Sequence, residues 1–289
     1  MPIPYTEQGT VFSCRDNRLV GIASVPEKSQ EVGVLILVGG PQYRVGSHRQ
    51  FTLLARSLAE SGIPCFRFDY AGMGDSEGDR QAFNEVQGDI SAALDRFQEM
   101  VPAVKRVTIW GLCDAASVAL MYAHKEPRIC SLVLLNPWVH GVDYSPGVKL
   151  SHYYAPLLRG KETWLRFFTG KIQIGPALKE FSHDSVSLLR KTLGLPLAVP
   201  ARHSFVTDML SGFLHFKGTT LFILSEQDLT AQEFVSLLGS EKEWAAAVAR
   251  PEVTIEHLEG ADHTFSKKDW QQEMTKLSLL WTQGLLEDD

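Results

Sequence analysis

One cysteine of the sequence stands where a reactive side chain is expected, between a predicted strand and a predicted helix. The segment VTIWGLCDAASVA, residues 107–119, begins with β-branched apolar residues and ends with small residues. Its centre, GLCDA, is a cysteine version of the G-x-S-x-G strand–turn–helix motif, with Cys113 at the nucleophile position. Gly111 and Ala115 are small, as so tight a turn requires. The motif predicts a strained Cys113 whose thiol attacks a carbonyl carbon, although many buried cysteines are only small apolar residues.

A nucleophilic thiol needs a base, and the base needs an acid to orient it. Two later loops offer them directly after predicted strands, since Asp228 follows LFIL and His263 follows VTIEHL. In proteins with this motif the order along the chain is nucleophile, acid, histidine, and the same order occurs here. We therefore predict a triad of Cys113, His263 and Asp228. Glu226 is a rival acid in the same loop, and Asp228 alone also fits a helix cap.

The elements that must position these residues alternate between strand and helix, which predicts an α/β fold with a mostly parallel eight-stranded sheet flanked by helices. Helical spacing predicts helices over residues 47–61, capped by Ser47, and over residues 86–100, 231–249 and 270–286, besides the helix that follows Cys113. The predicted strands are residues 10–14, 18–24, 32–38 and 64–68, the strand that begins at Val107, and residues 132–135, 219–224 and 253–258.

The alternation of strands and helices stops in the middle of the chain. Residues 138–216 contain several aromatic side chains and short helical patterns, and we interpret them as a helical cap inserted into the sheet domain. Residues 1–137 and 217–289 then form the core. A separate small domain is the alternative, but the flanking strands read as consecutive members of one sheet.

Composition excludes several classes of function. The net charge is −6 and no long basic run occurs, so nucleic acid is not an expected partner. No apolar run approaches the roughly 20 residues that span a bilayer, and the N-terminus lacks a secretory signal pattern. The four cysteines show no C-x-x-C or metal-ligand spacing, which favours a reduced cytoplasmic setting without a metal or organic cofactor. The oligomeric state is unknown at this stage.

Taken together, these motifs resemble the α/β-hydrolase superfamily over nearly the whole chain. The loop DYAGMGDSEG, residues 69–78, is similar to that of monoacylglycerol-lipase-like and serine-aminopeptidase-like esterases. More narrowly, GGPQYRVGSHRQF with FDYAGMGDSEG and GLCDAA resembles the exosortase A system-associated hydrolases, which occur beside bacterial exopolysaccharide gene clusters. That narrower resemblance rests on three segments.

The superfamily resemblance implies an oxyanion hole, a pair of N–H donors that stabilise the negative oxygen formed during attack. One donor is the N–H of Asp114, and the other belongs to the loop that begins with Gly39 and Gly40. Pro41 follows in place of the usual residue and has no N–H, so Gln42 is the predicted second donor, through its backbone or its side chain. A tight Gly-Gly-Pro turn without this role is the alternative.

Three residues near this loop are candidates for substrate binding: Gly40, Arg44 and His48. An arginine there fits an acidic substrate group, but structural pairing of Arg44 with Asp69 or Asp75 is an equal alternative.

A cysteine nucleophile suits acyl compounds that are already activated, such as thioesters, lactones or enol esters. We therefore predict a hydrolase that cleaves ester or thioester bonds of a small-molecule acyl substrate through an acyl-Cys113 intermediate. Two alternatives remain: an acyltransferase for exopolysaccharide or envelope building blocks, and a non-catalytic binding module that kept the fold.

Overall fold

A single eight-stranded sheet forms the centre of the computed structural model, which describes residues 1–40, 42–139 and 205–286. This confirms the predicted α/β architecture. Both strands of the first hairpin extend further than the sequence pattern indicates, because their exposed residues also pair across the hairpin. The strands are β1 Tyr5–Cys14, β2 Asn17–Pro26, β3 Val32–Leu37, β4 Cys65–Phe68, β5 Arg106–Leu112, β6 Ile129–Leu135, β7 Thr219–Ser225 and β8 Val253–Leu258.

The order of the strands determines which loops meet. Across the sheet they lie in the order β1-β2-β4-β3-β5-β6-β7-β8. Pairing is antiparallel between β1 and β2 and between β2 and β4, and parallel at every other contact. Because parallel strands end at the same edge, the loops after β5, β7 and β8 share one edge of the sheet. These are the loops that contain the predicted triad.

The central strands are buried on both faces. Every residue of β3 and β4 is buried, and so is every residue of β5 except Arg106. This explains their continuous apolar sequence, since helices cover both faces of a parallel sheet. The described helices are α1 Gln50–Glu60, α2 Gln87–Met100, α3 Asp114–Tyr122, α4 Phe205–His215, α5 Leu229–Ser240, α6 Lys242–Val248 and α7 Lys268–Gly284.

Two helix predictions are wrong in detail. The predicted helix over residues 47–61 begins only at Gln50, since His48 and Arg49 have left-handed backbone angles, with φ of 53° and 63°. Its N-cap is therefore Arg49, not Ser47, and no side chain caps it. The single helix predicted over residues 231–249 is two helices, because Glu241 is extended (φ −107°, ψ 112°) and interrupts them.

Most of the predicted cap, residues 140–204, lies outside the described residues, so the cap remains a prediction. The described ends of that segment lie together: the rings of Trp138 and Phe205 stack with centroids 5.1 Å apart. From there α4 packs against α3 so closely that a Cβ on Gly212 would lie 2.2 Å from the carbonyl oxygen of Leu120. In the part of the chain that the structure describes, no helix is long and apolar enough to cross a membrane.

Candidate active site

The backbone at Cys113 is strained in the way that the sequence predicts. Cys113 lies between β5 and α3 with φ 63° and ψ −124°, a region that residues other than glycine rarely adopt. Its N–H donates to the carbonyl of Leu135 at 2.9 Å, and its carbonyl accepts the N–H of Ala116 at 3.1 Å. A Cβ on Gly111 would lie 2.9 Å from the backbone of Ala115, so this position must be glycine. The turn leaves the Cys113 side chain half-buried at the edge of the sheet.

The three predicted catalytic side chains meet at this edge. The Nδ1 atom of His263 lies 2.9 Å from Oδ2 of Asp228 and forms a hydrogen bond with it, and the imidazole lies close enough to Cys113 for the thiol to raise its pKa. The Asp228 side chain is buried, whereas about a third of the His263 side chain is exposed. This is the chain of contacts that a thiol, a base and an orienting acid require.

Electrostatics favour a charged imidazole at this site. Burial lowers the pKa of His263, but the hydrogen bonds with Asp228 and Cys113 raise it more, to about 10. The imidazole is therefore positively charged at neutral pH and is able to donate a proton.

Asp228 makes both kinds of contact that the sequence left open. Besides contacting His263, its carboxylate caps α5 and accepts the N–H groups of Thr230 and Ala231, each at 3.2 Å. The cap fixes the carboxylate on a helix terminus, so the orienting acid is held rigidly. The rival acid Glu226 turns elsewhere, since its Oε2 atom accepts the N–H of Gly260 at 2.9 Å.

The loop that holds the predicted oxyanion donors is internally hydrogen-bonded. The N–H of Gln42 donates to the carbonyl of Gly39 at 3.3 Å, and its side-chain oxygen accepts the N–H of Ser47 at 3.1 Å. The N–H of Gly40 donates to Oδ1 of Asp114 at 2.7 Å. Burial raises the pKa of Asp114, against the effect of its hydrogen bonds to Gly40 and Ala115. Gln42 as a donor therefore remains a prediction, and its backbone N–H already has an acceptor.

The two basic candidates near this loop lie in different surroundings. The Arg44 guanidinium forms ion pairs with Asp69 and, at 2.5 Å, with Asp75, which is the structural pairing that the sequence left open. Asp262 is the neighbour of His263. Burial raises the pKa of Asp262, but its hydrogen bonds to Ser266 lower that pKa more, and the nearby His48 adds to the lowering. His48 is thus beside the triad, whereas Arg44 is occupied.

Sequence reasoning missed two residues beside Asp114. Tyr70 is buried, and its hydroxyl has no hydrogen-bond partner among the described residues. Arg80 donates to the carbonyl of Gly40 at 3.3 Å. Both line a cavity of about 30 Å³ together with Asp114. The only signal in the sequence was the position of Tyr70 two residues after a buried strand. In the described ranges no cluster of three His, Cys, Asp or Glu side chains offers a metal site.

Fold and site define the class of protein, and comparison with known sequences agrees. The sequence profile of the alpha/beta hydrolase family matches residues 34–273, most of the chain. The chain belongs to the alpha/beta hydrolase family. No curated protein sequence matches it.

Solved structures share the fold at low sequence identity. An esterase from Pyrococcus furiosus has a TM-score of 0.64 and 17% identity, over 96% of this chain and 92% of that one. A dienelactone hydrolase from Anabaena variabilis has a TM-score of 0.59 and 13% identity, over 97% and 98%. A Butyrivibrio proteoclasticus protein with ferulic acid bound has a TM-score of 0.61 and 12% identity, over 96% and 99%. At these identities the likeness concerns the fold alone.

Proposed function

We propose that this protein is a hydrolase of activated acyl compounds, esters or thioesters of small molecules, that works through a Cys113–His263–Asp228 triad. The observation that carries the proposal is the 2.9 Å hydrogen bond between Asp228 and His263, together with the closeness of that imidazole to Cys113. A binding module that had lost catalysis would have no need of a raised pKa at His263 or of a strained backbone at Cys113.

The reaction proceeds in two steps. In the first, the Cys113 thiolate attacks the carbonyl carbon, a C–S bond forms, and the carbonyl electron pair moves to oxygen. The tetrahedral intermediate collapses, the bond to the leaving alcohol or thiol breaks, and the imidazolium of His263 gives its proton to that leaving group. In the second step, neutral His263 takes a proton from water as the water attacks the acyl-Cys113 thioester and a C–O bond forms. The tetrahedral intermediate then collapses, the C–S bond breaks, the carboxylic acid is released, and Cys113 leaves as the thiolate beside the imidazolium. Asp228 holds the imidazole in place throughout.

The chemistry of sulfur defines the substrate class. A thiolate is a strong nucleophile but also a good leaving group, so it expels an activated alcohol or thiol more readily than an amine. Esters with acidic alcohols, lactones and thioesters therefore fit better than amides. The esterase and the dienelactone hydrolase among the structural neighbours are named for substrates of this kind.

We further infer, from the sequence resemblance, that the protein belongs with the exosortase A system-associated hydrolases and works in the cytoplasm. None of the four cysteines, all of which the structure describes, forms a disulfide, which fits a reducing compartment. The second candidate function is an acyltransferase, in which a polyol or an amine accepts the acyl group in place of water. Such a transfer would give this subgroup a biosynthetic role. Product analysis with and without such acceptors measures it.

The test is direct detection of the intermediate. The protein is mixed with an excess of an aryl ester, quenched with acid within seconds, and its intact mass and peptides are measured. We expect one acyl adduct, located on the peptide that contains Cys113. Cys130→Ala, which removes another half-buried cysteine, is the matched control and retains the adduct, whereas Cys113→Ala abolishes it. The proposal would be overturned if every ester and thioester of a panel stayed unhydrolysed and left Cys113 unmodified.

A further inference from the structure

The carboxylate of Asp114 accepts an N–H from the loop in which the second oxyanion donor is predicted. Asp114 follows the nucleophile directly, and its Oδ1 atom accepts the N–H of Gly40 at 2.7 Å. This N–H of the loop thus points at a negative charge that belongs to the protein itself.

The fit between the carboxylate and the loop is close. A Cβ added to Gly39 would lie 2.5 Å from Oδ1 of Asp114 and 2.4 Å from the carbonyl oxygen of Leu112. Glycine at this position is what lets the carboxylate approach the backbone. The neighbouring donors give no alternative, because Pro41 has no N–H and the N–H of Gln42 donates to Gly39.

Among the described residues, Arg80 attracts the Asp114 carboxylate but forms no ion pair with it. Tyr70 shares the cavity of about 30 Å³ with it, which is room for roughly one water molecule, and supplies no charge. Arg80 lies at the exposed rim of the cavity and donates to the carbonyl of Gly40, so solvent screens its attraction. On the other side lies His263, whose positive charge faces Asp228. Arg44 already pairs with two carboxylates.

We propose that Asp114 is a specificity-determining residue, whose buried carboxylate disfavours acyl groups that carry a negative charge next to the reacting carbonyl and so selects neutral acyl esters and thioesters. The inference deepens the proposed function and rests on it.

The physical reason is the sum of charges during attack. The tetrahedral intermediate carries a negative oxygen near the Asp114 carboxylate. The two negative groups then compete for the N–H donor of Gly40. A further carboxylate on the acyl group adds repulsion in a partly buried site, where two like charges a few ångströms apart repel each other much more strongly than in water. A neutral acyl group of the same length adds none.

The test compares two thioesters of N-acetylcysteamine with equal chain length, propionyl and malonyl, and follows release of the thiol by chromatography. We expect the wild type at pH 8 to prefer propionyl in kcat/KM by about ten-fold or more. Asp114→Asn keeps the side-chain oxygen but removes the charge, so the preference should fall at least about five-fold. The exposed Glu256→Gln removes an equal charge on β8, three strands away from β5 in the sheet, and should leave the preference unchanged.

Acidification provides a second readout that a purely structural role would not move. As pH falls and Asp114 gains a proton, the preference of the wild type should decrease, whereas that of Asp114→Asn should stay flat. Should the asparagine variant not fold, Asp114→Ser retains a side-chain oxygen that can accept an N–H at a helix start.

The outcomes separate this inference from the proposed function. If neither thioester acylates Cys113 in the wild type, the proposed function fails. If both acylate it and the ratio of their kcat/KM values is the same in wild type and in Asp114→Asn, the specificity role of Asp114 is overturned while the proposed function stands.

Discussion

The two sides of Cys113 are built in opposite ways. On the side of β7 and β8, Asp228 is capped onto α5 and directs its charge through His263 toward the sulfur. On the side of β3, the hydrogen bonds of the Gly40 loop end on Asp114 and on the loop itself. The contacts on the acid–base side thus match those that the proposed reaction needs, whereas the N–H groups of Gly40 and Gln42 on the other side already have acceptors within the protein.

This difference teaches where catalysis and where selection arise in the site. A rigid acid–base pair sets the reactivity of the thiol for every substrate. A loop whose donors already have acceptors must exchange partners when a substrate carbonyl arrives, so the substrate that best induces this exchange is favoured. We therefore expect mutations on the acid–base side to reduce the rate with all substrates, and mutations on the Gly40 side to have smaller effects.

The largest effect should come from His263→Asn, which removes the group that transfers the proton. We expect kcat/KM for an aryl ester to fall by about 10³-fold or more, since removal of a triad base typically costs this much. His257→Asn, at an exposed position of β8, is the matched control and should retain full activity. Activity of His263→Asn within a few-fold of wild type would contradict proton transfer by His263.

Asp228 allows the helix cap and the catalytic role to be separated. Asp228→Asn keeps an oxygen for the N–H groups of Thr230 and Ala231 but removes the charge that orients His263. We expect about a 10²- to 10³-fold loss of kcat/KM with nearly unchanged thermal stability. Asp228→Ala should lose the same activity and, in addition, about 1 kcal/mol of stability measured by urea unfolding. Equal activity of the asparagine variant and the wild type would assign Asp228 to the cap alone.

The pH profile sharpens the same comparison. Because the pKa of His263 is raised to about 10, the imidazolium that protonates the leaving group persists through neutral pH. The alkaline limb of kcat/KM should therefore fall only near pH 10. In Asp228→Asn, which lacks the carboxylate that raises this pKa, the limb should move to lower pH. An alkaline limb that stays in place in the variant would mean that another group controls it.

The smallest effects should distinguish two adjacent glycines on the opposite side. Gly39→Ala forces a Cβ to within 2.5 Å of Oδ1 of Asp114, so we expect a loss of about 1–3 kcal/mol in stability. Gly40→Ala meets no atom within 4 Å, and only its positive φ of 59° opposes the change, by about 1–2 kcal/mol. Urea unfolding of both variants measures the difference, and a larger loss at Gly40 would contradict the close packing of Asp114 on Gly39.

Much of the acid–base side could be predicted from sequence, because each of its residues follows a strand with a clear apolar pattern. Chain order then identified Cys113, Asp228 and His263, and parallel pairing explains why they meet. The oxyanion side could not be predicted in the same way. Which N–H the Asp114 carboxylate accepts depends on loop geometry of a few tenths of an ångström, and no spacing in the sequence encodes it.

Local backbone conformation also limits how well the ends of helices can be predicted from the sequence. The left-handed residues His48 and Arg49 delay the start of α1 to Gln50, although the predicted helix begins at Ser47. Likewise, the apolar pattern runs on across Glu241, where the chain extends for one residue and a new helix begins. Periodicity reports which side chains are buried, and it does not report where single residues leave the helical region.

The most direct test of the central claim is the protonation state of His263, followed by NMR of its ring nitrogens between pH 5 and 11. The account predicts an imidazolium that persists to a pKa near 10 in the wild type and a lower pKa in Cys113→Ala, since the contact with the sulfur contributes to the rise. A ring that titrates near the ordinary value of 6.5, with or without the sulfur, would contradict the coupling of thiol, base and acid on which the proposed function depends.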